Sequence, residues 1–571
     1  MDILGISFGV DTSACLLRDG QVVAAVLEER FSRIKHDRSW PAASIAWCLE
    51  QGGTTLDAID EVAFFWNPAL QLDYPHPGRS RTYRHHGDYL HMVPSWLLGG
   101  LSTPVSGPWT RQTIALDGRA PLNITYVTHH LCHAAAAFFP SPYDSAAVLT
   151  VDGHGERASA SIGRFDGNSY TSHSELIFPQ SLGSFYAAIT GYLGFRPNSG
   201  EGKVMGLAPY GDERFVAEFR ELLGLGKDPS RPFDIDLSWF EYHLEGPRRV
   251  SQRFLDAFGP AAAPRTEHSD GHKAVARAAQ VVTEEAMLAL TALAAEATGE
   301  RNLVLAGGVA MNSVANGRIE REGPFDSVWI QSSAGDGGTS VGAALWVWHC
   351  ISGGEGRHPW THDRLGPSFS PEACRSALRR GGWTWTEPEN LAEDTAQALA
   401  DGELVGWFQG GAELGARALG GRSILADPRR PENKDVLNSR VKFREPFRPF
   451  APSVLEERAA EFFVLPEGCT VPFMQKVHPV RESAREQLGA VTHIDGSARL
   501  QTVSSEASPE YHALIRAFGE ITGVPALINT SFNVRGEPIV LTPGDAIRCW
   551  ATTGLDRLVL GPCVVTKPSH D

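Results

Sequence analysis

"AAVLTVDGHGERASASIGRFDG", Ala146 to Gly167, decides how the chain is read. An apolar run ends on Asp152-Gly153, a short polar turn follows, and a second run closes on Asp166-Gly167. Such runs, bounded by Asp-Gly pairs, predict antiparallel strands joined by tight turns. The same plan stands 146 residues earlier as "DILGISFGV", "TSACLLRDG" and "QVVAAVLEE", with Asp19-Gly20 at the first hairpin turn. The match of "SACLLRDG" (Ser13–Gly20) with "SASIGRFDG" (Ser159–Gly167) predicts an internal duplication.

Two meanders, each with an Asp near its first turn, are the skeleton of an actin-like nucleotide-binding domain. Two strand–loop–helix units follow them. "RNLVLAGGVAMNSVANGRI" places Gly307-Gly308 after a short apolar strand, and "SVWIQSSAGDGGTSVGAALWVW" places three glycines around Asp336. Glycines at a strand-to-helix turn let backbone N–H groups approach a phosphate or another oxygen ligand. A Gly/Pro/Ser-rich stretch, Ile351 to Glu372, marks a boundary, so residues 1–355 and 356–571 are expected to form two domains. The second reads as α/β and carries the late strand–turn "ALINTSFNVRGEPIV".

A chain of 571 residues exceeds one core, and 42% apolar with 21% charged residues is the balance of an ordinary globular protein. The first residues carry no basic region, and the longest uninterrupted apolar run is about Val341 to Trp348, which argues against a signal peptide or a membrane span. Eight cysteines without a CxxC pair point to a reducing cytoplasm. A net charge of −16 disfavours a nucleic-acid partner. Against that sign, Arg417 to Phe450 holds nine Lys/Arg and four Asp/Glu. Clustering against the global charge suggests a bound anion, although a solvated face has the same composition.

Chemistry is expected first at "VTHHLCHAAAAFF" (Val127–Phe139). Thr128 is the expected helix N-cap, and His129 and His133, at i and i+4, share one face on which both can bind one metal. Two structural histidines at a helix start are the competing reading. Asp152 and Asp336, both at turns of an actin-like cleft, complete a His₂Asp₂ set that suits Fe²⁺, Mn²⁺ or Zn²⁺ better than Mg²⁺. His130 points elsewhere. "NSGEGKVMGLAPYG" (Asn198–Gly211) reads as a nucleotide-proximal loop around Glu201, Gly202 and Lys203. With Gly307, Gly308, Asn312 and Asp336 these are the expected nucleotide contacts. In the second domain Arg417, Lys442, Arg444, Arg448 and Arg499, with Asn529 and Ser531, suit a small phosphorylated or carboxylated substrate.

The motifs "EERFSRIKHD", "HHLCH", "VDGHGE", "EGKVMGLAPYG", "GGVAMN", "RALGGRSILADPR", "VKFREPFRPFAPSV" and "LINTSFNVRGEPIV" run in order through nearly the whole chain. Together they resemble the O-carbamoyltransferase family, which includes nodulation protein U and antibiotic-tailoring enzymes. The resemblance implies a duplicated actin-like (ASKHA) domain followed by an α/β domain similar to threonylcarbamoyl-adenylate synthase. It also implies a carbamoyl-phosphate site at Arg417, Lys442, Arg448, Arg499, Asn529 and Ser531, where ATP is converted to carbamoyl-adenylate. Transfer to a hydroxyl of a small-molecule natural product, such as an antibiotic, is then expected beside the metal, with ATP and a divalent cation (iron foremost) as cofactors. No nucleic acid or membrane is expected as a partner, and a homodimer is left open. Catalytic roles are expected for Asp11, Lys35, Lys442, Arg417 and Ser531. A tRNA-type threonylcarbamoyl enzyme and a non-catalytic nucleotide-dependent interaction protein are the alternatives.

Three positions depart from the family pattern. Val10 stands where relatives carry a His before Asp11, with Asp11, Lys35, His36 and His154 as candidate substitutes. Gly411 and Ala416 replace an Arg and a Pro, and both changes leave Arg417 in place. The aromatic and His-rich region Asp73 to Thr113 is expected to contact the acceptor.

Overall fold

The computed structural model describes residues 1–67, 107–115, 118, 120–228, 231–244 and 248–567. Most of the expected acceptor region, residues 73–106, therefore lies outside the described residues. The chain forms two compact units: Met1–Glu28 with Arg38–Pro359, and Glu29–Asp37 with Trp360–Asp571.

Unit 1 contains two sheets of equivalent topology. The first is built from β1 (Asp2–Ser7), β2 (Ser13–Arg18), β3 (Gln21–Leu27), β4 (Glu61–Phe64), β5 (Trp109–Ile114) and β6 (Leu122–Val127). Its order is β3-β2-β1-β4-β6-β5. The second uses β7 (Ser145–Val151), β8 (Ala158–Asp166), β9 (Ser169–Ile177), β10 (Asn302–Ala306) and β11 (Ser327–Ile330), in the order β11-β10-β7-β8-β9. In each sheet an antiparallel meander is followed by two strands parallel to its first. This repeated topology makes unit 1 a duplicated actin-like domain, with β5 as an addition at one edge.

The turns follow from the sequence. Arg18 pairs with Gln21, leaving Asp19 (φ 47°) and Gly20 (φ 84°) as a two-residue turn with both residues left-handed, the geometry that matches strand twist. Asp166 pairs with Ser169 around Gly167 and Asn168, the corresponding turn of the second half.

The histidine helix, His129–Phe138, packs against the helix Thr339–Trp346. A Cβ on Gly342 would lie 1.8 Å from the Cys132 carbonyl oxygen, so the two backbones touch there. Ala134 to Ala137 are buried on the same helix, and small side chains are what this approach requires.

Two expectations need correction. "EGKVMGL", expected as a loop, is a helix, Glu201–Leu207, because its glycines are too dispersed to break it and Val204 and Leu207 bury one face. The helix Asp270–Thr298 has the length and apolarity of a membrane span, which a search for uninterrupted apolar runs overlooks. It is a core helix of unit 1, burying Val275, Ala279, Val282, Ala286 and Leu290.

Residues 352–370 carry neither helix nor strand. Unit 2 is a seven-stranded mixed sheet with a two-stranded ribbon. Its strands are β12 (Val405–Phe408), β13 (Arg422–Ala426), β14 (Ala451–Leu455), β15 (Val477–Pro479), β16 (Ser497–Arg499), β17 (Gln501–Val503), β18 (Ala526–Ser531), β19 (Arg557–Leu560) and β20 (Cys563–Thr566). The sheet order is β17-β14-β18-β13-β12-β19-β20, and β15 pairs with β16. Leu399, Tyr511, Leu514 and Phe518 cover one face, while Leu378, Leu437, Phe462 and Trp550 cover the other. Segment 29–37 is tied into this unit: Arg30 donates to the Gly415 carbonyl (2.8 Å), and Arg33 to those of Pro538 and Ile539 (2.9 and 2.6 Å). Lys35 and His36 therefore belong to unit 2, whereas Asp11 and His154 belong to unit 1.

Candidate functional site

In unit 1 the helix His129–Phe138, the end of β7 and the Asp336 loop bring four ligand atoms within 4.8 Å of one another, from His129, His133, Asp152 and Asp336. His129 Nε2 and His133 Nε2 are 3.1 Å apart. His129 Nε2 lies 3.2 Å from Asp152 Oδ2, and His133 Nε2 lies 3.6 Å from Asp336 Oδ1. Both histidines are buried, and Asp336 is the most open member with 20% of its side chain exposed. Burial alone would push the His133 pKa down, but the Asp152 and Asp336 carboxylates outweigh it and hold the group at about 9. The arrangement therefore stabilises positive charge, as a proton or as a metal. Two facing imidazole nitrogens flanked by two carboxylate oxygens fit Fe²⁺, Mn²⁺ or Zn²⁺.

Asp152 is fixed by its second oxygen, which accepts the Gly308 N–H at 2.8 Å. A Cβ on Gly308 would lie 2.7 Å from that oxygen, and one on Gly307 would lie 2.3 Å from the Val151 carbonyl. Both glycines permit this close approach. The Asp336 loop is tied to the β1–β2 turn, where Ser13 Oγ donates to the Gly337 carbonyl (2.9 Å). That turn also carries Val10 and Asp11. A Cβ on Gly337 would lie 3.6 Å from Asp11 Cβ, so Asp11 flanks the Asp336 loop. His130 turns away, its ring nitrogens bonded to Thr150 Oγ1 (2.5 Å) and the Ala158 carbonyl (3.0 Å).

Asn312 caps the helix Ser313–Glu322 through the Ala315 N–H and exchanges amide hydrogen bonds with Gln280. Glu201, the first residue of its helix, accepts the Asn198 N–H of the preceding turn (2.7 Å), Gly202 is exposed, and the Lys203 ammonium lies 5.3 Å from the centre of the Phe195 ring. Met205 on that helix accepts the Ser313 hydroxyl, which joins it to the Asn312 helix.

In unit 2 the basic residues converge. Burial lowers the pKa of Arg417 to about 10, with Arg448 adding to the effect. Burial likewise lowers Arg444 to about 9, again helped by Arg448. Arg499 is held well below its usual value by burial and then by Arg417, Arg444 and Arg448. The Nε atoms of Arg417 and Arg499 are buried with no hydrogen-bond partner among the described residues. Lys35 stands at the exposed side of the same group. Desolvation lowers its ammonium pKa, and Arg448, Arg30 and Arg417 pull the same way against Glu29. Arg448 pairs with Glu445 at 3.8 Å; the remaining mutual repulsion of these buried cations suits an anion.

Lys442 is buried and donates to the Ser531 and Asn533 carbonyls and to Asn533 Oδ1 (2.9 Å). Ser531 Oγ lies 3.5 Å from its Nζ, and burial holds the Lys442 pKa well below the lysine range. Asn529 shares a face of β18 with Ser531. Its amide Nδ2 lies within hydrogen-bond reach of the Ala418 carbonyl, Ser453 Oγ and Gln501 Oε1 (2.9 to 3.0 Å), and its Oδ1 is buried with no hydrogen-bond partner among the described residues.

The sequence matches the families described as Carbamoyltransferase N-terminus over residues 2–345 and Carbamoyltransferase C-terminus over residues 396–567. The chain belongs to the carbamoyltransferase family. It is 41% identical over 611 residues to an uncharacterized protein of Synechocystis sp., spanning all of this chain and 97% of that protein. It is 38% identical over 575 residues to nodulation protein NolNO of Sinorhizobium fredii, covering 98% of this chain and 79% of the relative. A third relative, nodulation protein NolO of Bradyrhizobium diazoefficiens, is 40% identical over 461 residues, with 77% and 79% coverage.

Three supporting residues of this carbamoyltransferase escape a reading by motif chemistry. Glu156, not Thr128, satisfies the start of the histidine helix: its carboxylate accepts the N–H groups of Asn67 (2.6 Å) and His129 (3.1 Å). Thr128 occupies the N-cap position but donates its hydroxyl to the Pro108 carbonyl. Glu413 organises the Arg417 loop by accepting the N–H groups of Leu419, Gly421 and Arg422 (2.8, 2.7 and 3.1 Å). Asn533 holds Lys442. Their signals, "VDGHGE" and "GAELGAR", are visible, but a buried carboxylate serving backbone donors looks in sequence like any acid. Glu156→Ala is expected to cost about 1–2 kcal/mol by leaving buried N–H groups unpaired. Thermal melts with and without Fe²⁺ or Mn²⁺ check this, and the metal-dependent increment should also shrink.

Proposed function

We propose that this carbamoyltransferase activates carbamoyl phosphate with ATP in unit 2 and passes the carbamoyl group to a hydroxyl of a small molecule at the unit 1 site. The observation that carries the reading is the unit 2 cation cluster, where Arg417, Lys442, Arg444, Arg448 and Arg499 gather and the Nε atoms of Arg417 and Arg499 have no hydrogen-bond partner among the described residues. Arg417, Arg448 and Arg499 would hold the phosphate, and Lys442 with Ser531 would orient the carboxyl end. Asn529 Oδ1, the neutral acceptor among these donors, suits the carbamoyl amino group. Water releases phosphate from carbamoyl phosphate, leaving carbamate. A carbamate oxygen attacks the α-phosphorus of ATP, and the bond to pyrophosphate breaks to give carbamoyl-adenylate. The acceptor oxygen then attacks the carbamoyl carbon and AMP leaves, yielding the O-carbamoyl product.

In unit 1, Glu201, Lys203, Gly307, Gly308 and Asn312 would line the nucleotide, and Asp11 would take the acceptor proton in place of the His that Val10 replaces. Lys35, on the unit 2 segment, would neutralise charge on the phosphate. His129, His133, Asp152 and Asp336 would hold a divalent cation, which supplies neutralising charge to the nucleotide phosphates. The unit 2 sheet would be the counterpart of threonylcarbamoyl-adenylate synthase.

The test is acceptor-free. Carbamoyl phosphate and ATP are expected to give pyrophosphate and an AMP-plus-carbamoyl mass with the wild type and neither with Lys442→Ala. Pyrophosphate-free wild type under added Fe²⁺, Mn²⁺ or Mg²⁺ would reject the adenylate route. A panel of hydroxylated small molecules then identifies the acceptor by formation of AMP and a carbamoylated product.

A further inference from the structure

The backbone at Phe443 is unexpected for its residue type. A π-turn, Asn438–Lys442, ends there with φ 46° and ψ 48°, the left-handed region. The turn places Lys442 and Arg444, neighbours of the same residue, in one anion site: Lys442 reaches Asn533 Oδ1, and Arg444 folds back to Asn438 Oδ1 (2.8 Å) and over the Phe450 ring. Arg535 pins the conformation by donating to the Phe443 carbonyl (3.1 Å) and to Glu445 (3.1 Å).

Glycine or asparagine would adopt this conformation at lower cost, whereas a bulky side chain is strained in it. Burial of the ring could offset that strain, but the residue is 52% exposed. Among the described residues Phe443 alone combines a left-handed backbone with a large exposed apolar side chain. Strain kept at a site without a folding gain points to a ligand. The ligand must be flat and apolar on one face and must arrive beside a bound anion.

We propose that Phe443 is the stacking platform for the purine base of the ATP that reacts in unit 2. Stacking on an exposed aromatic tolerates the base's free rotation, and it places the triphosphate towards the arginines. This rests on the adenylate-forming reading above.

The full chain is assayed for pyrophosphate release at varied ATP and varied carbamoyl phosphate, as wild type, Phe443→Gly and Phe443→Tyr. Phe443→Gly keeps the turn and removes the ring. It is expected to raise the KM for ATP about ten-fold, to leave that for carbamoyl phosphate within about two-fold, and to hold or raise Tm. Phe443→Tyr is expected to behave as wild type. An unchanged KM for ATP in Phe443→Gly overturns the proposal. An equal rise for both substrates also overturns it, because Phe443 would then only position Lys442 and Arg444. A change in oligomeric state without a change in ATP kinetics assigns the ring to a subunit interface and overturns it too. A wild type that releases no pyrophosphate would instead be a failure of the adenylate reading. Calorimetric titration with ATP then decides for Phe443: identical isotherms for wild type and Phe443→Gly overturn the platform, and a weakened binding event supports it.

Discussion

Arg499→Met is expected to stabilise the ligand-free protein while lowering kcat/KM for carbamoyl phosphate by more than about 100-fold. The two effects have one cause. Arg499 is desolvated, its Nε has no partner among the described residues, and Arg417, Arg444 and Arg448 repel it. Its lowered pKa means that the charged form is less favourable in the folded chain than in the unfolded one, so removing the charge relieves the fold. Replacing a poorly compensated buried ion by an apolar side chain stabilises by about 1–2 kcal/mol in such settings. The same replacement removes a planar fork from the anion, a charge-assisted contact whose loss costs far more in binding. Thermal melts should show Tm rising in the variant. Inorganic phosphate or carbamoyl phosphate should raise Tm in the wild type and leave the variant unmoved. A variant that melts lower and keeps its activity would show Arg499 to be a structural residue.

Asp152→Asn and His133→Ala should separate the two halves of the reaction. Each is expected to reduce bound metal from about one per chain to near zero and to lower acceptor carbamoylation by more than about 100-fold. Acceptor-free pyrophosphate release should stay within about two-fold, because no residue of the unit 2 anion site is touched. Asp152→Asn is the cleaner variant. Its remaining carbonyl can still accept the Gly308 N–H that holds the loop, so a loss reports the missing charge and not a collapsed turn. Elemental analysis of purified protein and mass detection of product check both statements. Joint loss of pyrophosphate release would place the metal in adenylate formation.

Much of this was legible in the chain. The Asp-Gly turns and the repeated meander fixed the actin-like unit, because tight hairpin chemistry is local and duplication leaves a countable spacing. The i and i+4 histidines identified a shared helix face, and the arginine-rich run against an acidic background pointed to residues that unit 2 buries close together. Helix-versus-loop at Glu201–Leu207 was not legible, because dispersed glycines weaken a helix without forbidding it and burial of Val204 and Leu207 is a tertiary fact. The cap of the histidine helix was also hidden. Local rules favour Thr128, but a carboxylate 27 positions later in sequence reaches the His129 N–H.

Sequence alone determined the family and the duplicated topology, since each depends on local periodicity, turn chemistry or residue type. Tertiary structure decided which of the candidate groups share a space. It brought Asp336 to His129 across 207 positions and drew segment 29–37, with Lys35, into unit 2. It left the Nε atoms of Arg417 and Arg499 without a hydrogen-bond partner among the described residues and bent the backbone at Phe443. Those outcomes depend on long-range packing and on where charge escapes water, and neither is encoded within any one stretch of sequence.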